Sequence, residues 1–380
     1  MKFSINATDF RAALKAACEV APSKGILPEY SCVFLQTDEG EDLRIYARSE
    51  SMEFSVTVPC DVQDDGEALI PSRMLLDYVS LASGDVQIST DAKQKMTIKS
   101  GKKTSSIVGM DTDRFKAPAF SGEDVLRAPG ADFAACLNRT SFCTSLDETR
   151  PQLCGVHLSI DSIGHVKFVG MDGYRISMCD MDKTELLADL PQGREITIPN
   201  AVLKLIPSLF SGDDAITLGL ETYRASISAN GKMLIFPLIA KEYIQYGRLL
   251  TNDYKTELLL NSDAFLEALR LVEIASGNAE GNDQRKNLIR IQTDGENGCV
   301  TLSADNAATD AVTAVDCDLR GEDMTIYFNV KYVKDLVAVC AKESDSITFS
   351  LTGPVSIASI APQNSQSRLT TYVVPVRTRN

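Results

Sequence analysis

The chain has 380 residues, 44% of them hydrophobic and 24% charged, with a formal net charge of −14. That balance excludes disordered and fibrous classes, and the longest apolar run falls far short of the roughly 18 to 20 residues a membrane-spanning helix needs. The acidic excess taken alone argues against a nucleic-acid partner, whose phosphates the far field would repel, unless cations are gathered on one face.

In chain order, Lys2-Phe3-Ser4-Ile5 reads as a strand and Thr8 to Cys18 as an amphipathic helix, with Phe10, Ala13, Leu14, Ala17 and Cys18 on one face. Leu35 to Gly40 and Leu43 to Tyr46 alternate around a polar turn and predict an antiparallel hairpin. Ala68-Leu69-Ile70-Pro71 then leads into a second helix, Arg73 to Leu81, striped by Leu75, Tyr78, Val79 and Ala82. The same order returns twice. Ala131 to Cys143 carries Phe133, Cys136, Leu137 and Thr140; hairpin strands follow at Leu158–Ser162 and Val166–Val169; Ile196-Thr197-Ile198-Pro199 opens a helix from Ala201 to Phe210. Glu257 to Leu260 precedes a helix from Ser262 to Ile274 bearing Phe265, Ala268, Leu269 and Val272; strands at Ile291–Gly295 and Cys299–Leu302 follow; Thr325 to Phe328 opens Val330 to Ala341. Thr8, Ser262 and Asn329 are candidate N-caps, and Pro71 and Pro199 suit first-turn positions.

A period of about 125 residues is too long for a solenoid and implies three copies of one domain. Each copy is α+β, two helices packed on one face of antiparallel sheet. Turn residues near Ala128-Pro129-Gly130 and Thr251-Asn252-Asp253 divide the chain into 1–127, 128–252 and 253–380.

Catalytic signals are missing. The only histidines, His157 and His165, lie in strand-like sequence, and no nucleophile elbow, metalloprotease helix, dinucleotide fingerprint or complete P-loop is present. Gly101-Lys102 reads as a hairpin turn. Asp64-Asp65, Asp111 with Asp113, and Asp213-Asp214 read as solvated turns. Cys18, Cys32, Cys60, Cys136, Cys143, Cys154, Cys179, Cys299, Cys317 and Cys340 contain no C-x-x-C pair and are expected to be reduced core residues, with no disulfide or metal role. Neither cofactor nor enzymatic activity is expected.

The helices do carry cations off their apolar stripes: Arg11, Lys15, Arg73, Arg139, Lys204, Arg270, Lys331 and Lys334. One helix of this kind is an ordinary solvated face. Recurrence in three copies points to a shared basic surface that could hold DNA phosphates without reading bases, with acidic loops such as Glu39–Asp42 and Asp61–Glu67 kept outside.

Four segments, in register with the repeat, carry a resemblance: Met1-Lys2-Phe3-Ser4-Ile5 with Phe10 and Leu14; Asp147-Glu148-Thr149-Arg150-Pro151-Gln152-Leu153-Cys154-Gly155-Val156; Asp172-Gly173-Tyr174-Arg175-Ile176-Ser177; and Tyr372-Val373-Val374-Pro375-Val376-Arg377. Over its whole length the sequence resembles the bacterial sliding clamps, the beta subunits of DNA polymerase III. The resemblance implies three clamp domains closing as a head-to-tail homodimeric ring around duplex DNA. It also implies a cytoplasmic processivity factor, without membrane association, that tethers the replicative polymerase alpha subunit, the clamp loader and other proteins bearing a clamp-binding motif.

It further implies a peptide-binding cleft made of Leu153, Met171, Gly173, Tyr174, Arg175, Ile176, Pro237, Arg248, Leu249, Val355, Tyr372, Val374, Pro375, Val376 and Arg377. Met171 and Tyr174 depart from the family's usual small polar residue and histidine. The family's F-P-x-Y-x-x-hydrophobic segment reads as stretched between Phe236-Pro237 and Arg248-Leu249. Lys24 and Arg150 would face DNA with the helix cations, and Ser105 and Ile107 would meet the region of Ile274 across the dimer contact. Competing readings are an interaction scaffold that no longer encloses DNA, and a hydrolase or metal-dependent enzyme using acidic loops such as Asp111 and Asp113.

Overall fold

A computed structural model describes residues 1–37, 42–213, 215–250, 253–277, 286–305 and 309–377. Glu39, Asp214, Thr251 and Asn252 of the sequence reading lie outside the described residues. By contacts the chain forms two compact units: Met1–Ala134 with Thr184–Asp189 and Lys204–Leu238, and Ala135–Lys183 with Leu190–Leu203 and Ile239–Asn380.

Helices α1 (Ala7–Val20), α2 (Ser72–Ser80), α3 (Gly130–Ser141), α4 (Asn200–Leu203), α5 (Leu205–Phe210), α6 (Ser262–Gly277) and α7 (Val330–Cys340) correspond to the expected helices. Their starts are set one or two residues earlier than Thr8 and Ser262 suggest. Asn6 caps α1 by accepting from Thr8 N at 2.9 Å, and Asn261 Oδ1 accepts from Ala264 N at 3.0 Å. Asn329 caps α7 as expected, accepting from Lys331 N. The helix expected over 201–210 is interrupted at Lys204, because Pro207 has no N–H to return to the Leu203 carbonyl.

In the first unit, a five-stranded antiparallel sheet runs in the order 61–64, 2–6, 85–90, 95–100, 103–108. A nine-stranded sheet runs 185–186, 123–128, 216–220, 224–229, 232–237, 53–59, 42–48, 32–37, 66–71. Phe10, Leu14 and Ala17 of α1 are fully buried, and α1 packs beside α2 and against strands 42–48 and 53–59. The apolar stripe read from the sequence is therefore the face that makes the core.

The second unit is built on one twelve-stranded sheet in the order 194–199, 155–160, 166–171, 175–181, 370–373, 358–362, 346–351, 256–261, 310–321, 299–305, 288–294, 325–329. Here α6 and α7 pack on each other and bury Phe265, Leu269, Val333 and Leu336 with Phe328 and Phe349 from the strands. No described helix is long and apolar enough to cross a membrane.

The middle repeat is divided between these sheets. Its strand 232–237 pairs with 53–59 of the first repeat, from Lys232↔Val56 to Ile235↔Glu53. Its strand 175–181 pairs with 370–373 of the third, from Arg175↔Val373 to Met178↔Thr370. Continuous hydrogen bonding across both junctions is why compactness yields two units where the sequence repeats three times.

Candidate functional site

Within the second unit lies a cavity of about 490 Å³ walled by Arg150, Leu153, Met171, Gly173, Tyr174, Arg175, Ile176, Ile244, Leu249, Thr352, Ser356, Ile357 and Val374. Leu153 ends a short 3-10 turn opened by Pro151, and Met171 ends strand 166–171. Between them and strand 175–181 the chain turns at Asp172-Gly173. Asp172 Oδ1 accepts from Tyr174 N at 2.8 Å and Arg175 N at 3.0 Å. Gly173 sits at φ +96, a backbone conformation that favours glycine, while the nearest atom to a Cβ there is the movable Arg150 Nη1 at 3.0 Å. Val374 N donates to Tyr174 O at 2.9 Å and holds the C-terminal stretch along the opposite wall. Under the cavity, Leu153, Val169, Met171, Ile176, Tyr243 and Tyr372 form an apolar cluster.

Arg175 is fully engaged below the rim. It donates to Asp172 Oδ2 at 3.0 Å, Asp335 Oδ2 at 2.6 Å and Phe142 O at 3.2 Å, and its guanidinium lies over the Tyr332 and Phe142 rings. Tyr174, more than half exposed, stacks on Tyr332 with centroids 5.7 Å apart. Arg150 Nε pairs with Asp147 at 3.3 Å, and both remain substantially exposed. The result is an open, mainly apolar trough with one accessible cation at its edge, a surface suited to an extended peptide.

Most of the expected cleft residues converge here: Leu153, Met171, Gly173, Tyr174, Arg175, Ile176, Leu249 and Val374. Tyr372 lies in the cluster beneath them, and Val355 is exposed in the same turn as Thr352 and Ser356. Pro375 is buried, whereas Val376 and Arg377 are exposed, with Val376 N donating to Tyr327 O at 2.7 Å. Arg248 is exposed on the 3-10 turn Tyr246–Leu249.

Pro237 requires correction. It ends strand 232–237 opposite Arg224, within the first unit, where it lines a small polar recess with Arg48, Glu53 and Phe236. Ile244 is the wall residue that the sequence reading missed. Tyr243-Ile244-Gln245-Tyr246-Gly247-Arg248-Leu249 keeps the spacing of the segment thought to be stretched, with Tyr for Phe and Ile for Pro. Tyr243 anchors it, buried and stacked on His157 at 4.3 Å. The aromatic-x-x-Tyr spacing was the available signal; the literal Phe-Pro pair was misleading.

His157 is itself a core residue, hydrogen-bonded through Nδ1 to Thr197 Oγ1, and burial pushes its pKa down to about 4. Half-buried His165 sits among Asp161, Asp180 and Asp182. Asp111 accepts from Asp113 N to cap a short turn. Among the described residues no group of three metal-ligating side chains is assembled.

The cations divide into two sets. Lys15, Lys24, Lys204, Arg270 and Lys331 are exposed and make no ion pair among the described residues. Arg11 donates to Val79 and Ala82 carbonyls at the end of α2, and Arg73 to Cys18 O near the end of α1, so these two tie helix C-termini together. Arg139 is held by Glu343 through bonds of 2.7 and 2.8 Å, and Lys334 by Glu273 at 2.6 Å. The expectation that all the helix cations are available to phosphate is therefore corrected for Arg139 and Lys334, whose charge is neutralised by carboxylates, whereas Arg11 and Arg73 meet only neutral carbonyls and Arg73 stays exposed.

At the expected dimer contact, Ile274 is 66% exposed on α6, and Ser105 lies on strand 103–108 at the edge of its sheet. Ile107 is only 2% exposed and points into the core, whereas Val108 beside it is 69% exposed. A one-residue step along a strand reverses the face, so Ile107 can offer only its main chain.

Three family models match the chain consecutively: DNA polymerase III beta subunit N-terminal domain over 1–126, central domain over 128–244 and C-terminal domain over 247–377. The beta sliding clamp of Synechococcus elongatus is 25% identical over 391 residues, and that of Staphylococcus aureus 23%, each alignment covering all of both chains. Solved beta subunits from Streptococcus pyogenes and Pseudomonas aeruginosa superpose with TM-scores of 0.90 at 18% and 20% identity, again over all of both chains.

Proposed function

The chain belongs to the DNA polymerase III beta subunit family, and on that footing we propose how its surfaces serve a DNA sliding clamp. It is a replication processivity factor and performs no catalysis of its own. We assign the three clamp domains to 1–127, 128–252 and 253–380, and the trough around Tyr174 and Val374 to the extended peptide segments by which a polymerase alpha subunit, a clamp loader and other clamp-binding proteins attach. The observation that carries this assignment is the convergence of Leu153, Met171, Ile176, Ile244, Leu249 and Val374 on one open cavity beside the exposed Tyr174 ring.

Assembly follows from two strand edges. In the first unit, strand 103–108 ends its sheet, with exposed Lys95, Lys99 and Lys102 on the last two strands and their turn, and with Met74 and Leu81 exposed on and just after α2. In the second unit, residues 310–316 pair with 299–305 on one side only among the described residues. Exposed Asp310, Val312, Asp316, Glu267, Leu271 and Ile274 surround that stretch. Unlike patches of opposite charge, each with a strand edge, favour a heterologous contact that closes when repeated, here as a head-to-tail dimer ring. Lys15, Lys24, Lys204, Arg270 and Lys331 would then supply phosphate contacts without sequence reading, whereas Arg150, expected to face DNA, is instead the cation at the edge of the trough. The working place is the cytoplasm, with the replication machinery.

Titrating a fluorescent peptide from a replicative polymerase's clamp-binding segment tests the cleft. Saturable binding that competes with unlabelled peptide and weakens in Val374→Asp is expected, and undiminished binding by Val374→Asp removes the assignment. Small-angle scattering on an absolute scale tests assembly; a monomer mass would leave the fold standing and remove the ring.

A further inference from the structure

Helix α3 and strand 175–181 meet through two cysteines. Cys136 Sγ and Cys179 Sγ lie 3.2 Å apart, and Arg139 Nη1, one helical turn after Cys136, is 3.9 Å from Cys179 Sγ. Ser177 Oγ donates to Arg139 O at 2.6 Å and fixes strand against helix, while Glu343 holds the guanidinium. We propose that Cys136 and Cys179 are a peroxide-reactive thiol pair, a modification site that closes reversibly to a disulfide between α3 and the strand leading out of the peptide cleft.

Geometry distinguishes the two sulfurs. Contact with the Cys136 sulfur and the Arg139 guanidinium 3.9 Å away lower the pKa of Cys179, whereas contact with Cys179 and burial raise that of Cys136. Cys179 is thus the nucleophile and Cys136 the resolving thiol, the division of labour of a redox-responsive pair.

Burial would ordinarily make such a pair inert, but its cover is thin. Ser367 O, in the surface turn 363–368, lies 3.4 Å from Cys179 Sγ. Asn364 and Arg368 in that turn hold φ values of 52 and 45, a region that costs an arginine conformational energy. The turn is held by the water-screened Arg368–Asp182 pair at 2.7 Å, with side chains 60% and 45% exposed, by Gln363 N donating to Ser346 O at 2.8 Å, and by Ser367 N donating to Ser365 Oγ at 3.1 Å. Opening this turn admits a small oxidant without unfolding the sheet.

The chemistry balances with hydrogen peroxide as the oxidant. Cys179 thiolate attacks one peroxide oxygen, the O–O bond breaks, and the departing hydroxide takes a proton to leave as water. The sulfenic acid sulfur is then attacked by Cys136; the S–S bond forms, the S–O bond breaks, and hydroxide leaves as a second water with the proton from Cys136. Two thiols are oxidised and one peroxide is reduced to two waters.

The test uses the full chain exposed to dilute hydrogen peroxide, alkylated under denaturing conditions and read by intact and peptide mass spectrometry. The expected product has lost two hydrogens, yields one cross-linked peptide joining Cys136 to Cys179, and returns to ten alkylated thiols with dithiothreitol. Folded Cys136→Ser, checked by circular dichroism, should stop at a dimedone-reactive sulfenic acid on Cys179; Cys179→Ser should leave Cys136 unmodified. Oxidation confined to other cysteines such as half-buried Cys154, or reaction of Cys136 in the Cys179→Ser protein, would overturn the proposal. Because the wild-type chain is read first, a variant that fails to fold does not rescue it.

Discussion

Replacing Arg175 by Ala removes a hub that both closes the floor of the cleft and joins the middle repeat to α7. The side chain is 12% exposed and pairs with Asp172, itself 14% exposed, and with Asp335, which is 44% exposed. The Asp335 contact is largely screened and contributes about 0–1 kcal/mol. Stranding Asp172 without its charged donor costs about 1.5–3 kcal/mol. Loss of the cation over the Tyr332 and Phe142 rings adds about 0.5–1 kcal/mol. Together the substitution should destabilise by about 3 kcal/mol, measured from the shift in urea midpoint of the second unit at constant m-value. Arg175→Lys keeps the charge without the planar fork and should fall between the two proteins. In a double-mutant cycle with Asp335→Asn the losses should be less than additive. A loss below about 1 kcal/mol for Arg175→Ala would refute the reasoning, because the ion pairs and ring contacts would then contribute nothing net in water.

Other expectations follow from the same contacts. Val374→Ala, on the exposed cleft wall, should weaken peptide binding about three- to tenfold by loss of apolar contact area while leaving the unfolding midpoint nearly unchanged; a fluorescence-polarisation titration with unaltered affinity counts against the cleft. Charge reversal at Lys15, Lys204 and Lys331 should shorten retention on circular DNA and flatten its salt dependence, whereas reversal at Arg139 or Lys334 should instead lower the melting temperature by stranding Glu343 or Glu273. His157 binds its proton less readily folded, with a pKa of about 4, than in the unfolded chain at about 6.5. Its stabilising contribution is therefore complete above about pH 6.5 and is lost as pH falls toward 4. His157→Phe should remove that part of the pH slope in urea titrations; an unchanged slope between pH 6.5 and 4 would exclude His157 as its source.

Much of this molecule was legible before any coordinates. The triple repeat, the apolar stripes on six helical segments and the antiparallel hairpins depend on local periodicity, and the stripes became buried faces, as at Phe10 and Leu14, Val202 and Ile206, Leu336 and Val337, except that Tyr78 of the second helix is exposed. Much of the lining of the cavity proposed as the cleft was legible as well, because the runs around Leu153, Gly173 and Val374 resemble the sliding clamps at those positions. Ile244 was not, since only the spacing of Tyr243 and Tyr246 marks its segment and the more literal Phe236-Pro237 pair occurs upstream.

The tertiary structure decided everything that depends on partners remote in sequence. It consumed Arg139 on Glu343 and Lys334 on Glu273, turned Ile107 inward, set Cys136 against Cys179, and divided the middle repeat between two sheets. Periodicity determines which side of an element is apolar, because that depends only on rise and twist per residue. It carries no information about which carboxylate will lie within hydrogen-bonding distance of a given arginine; that distance exists only once strands hundreds of residues apart have paired.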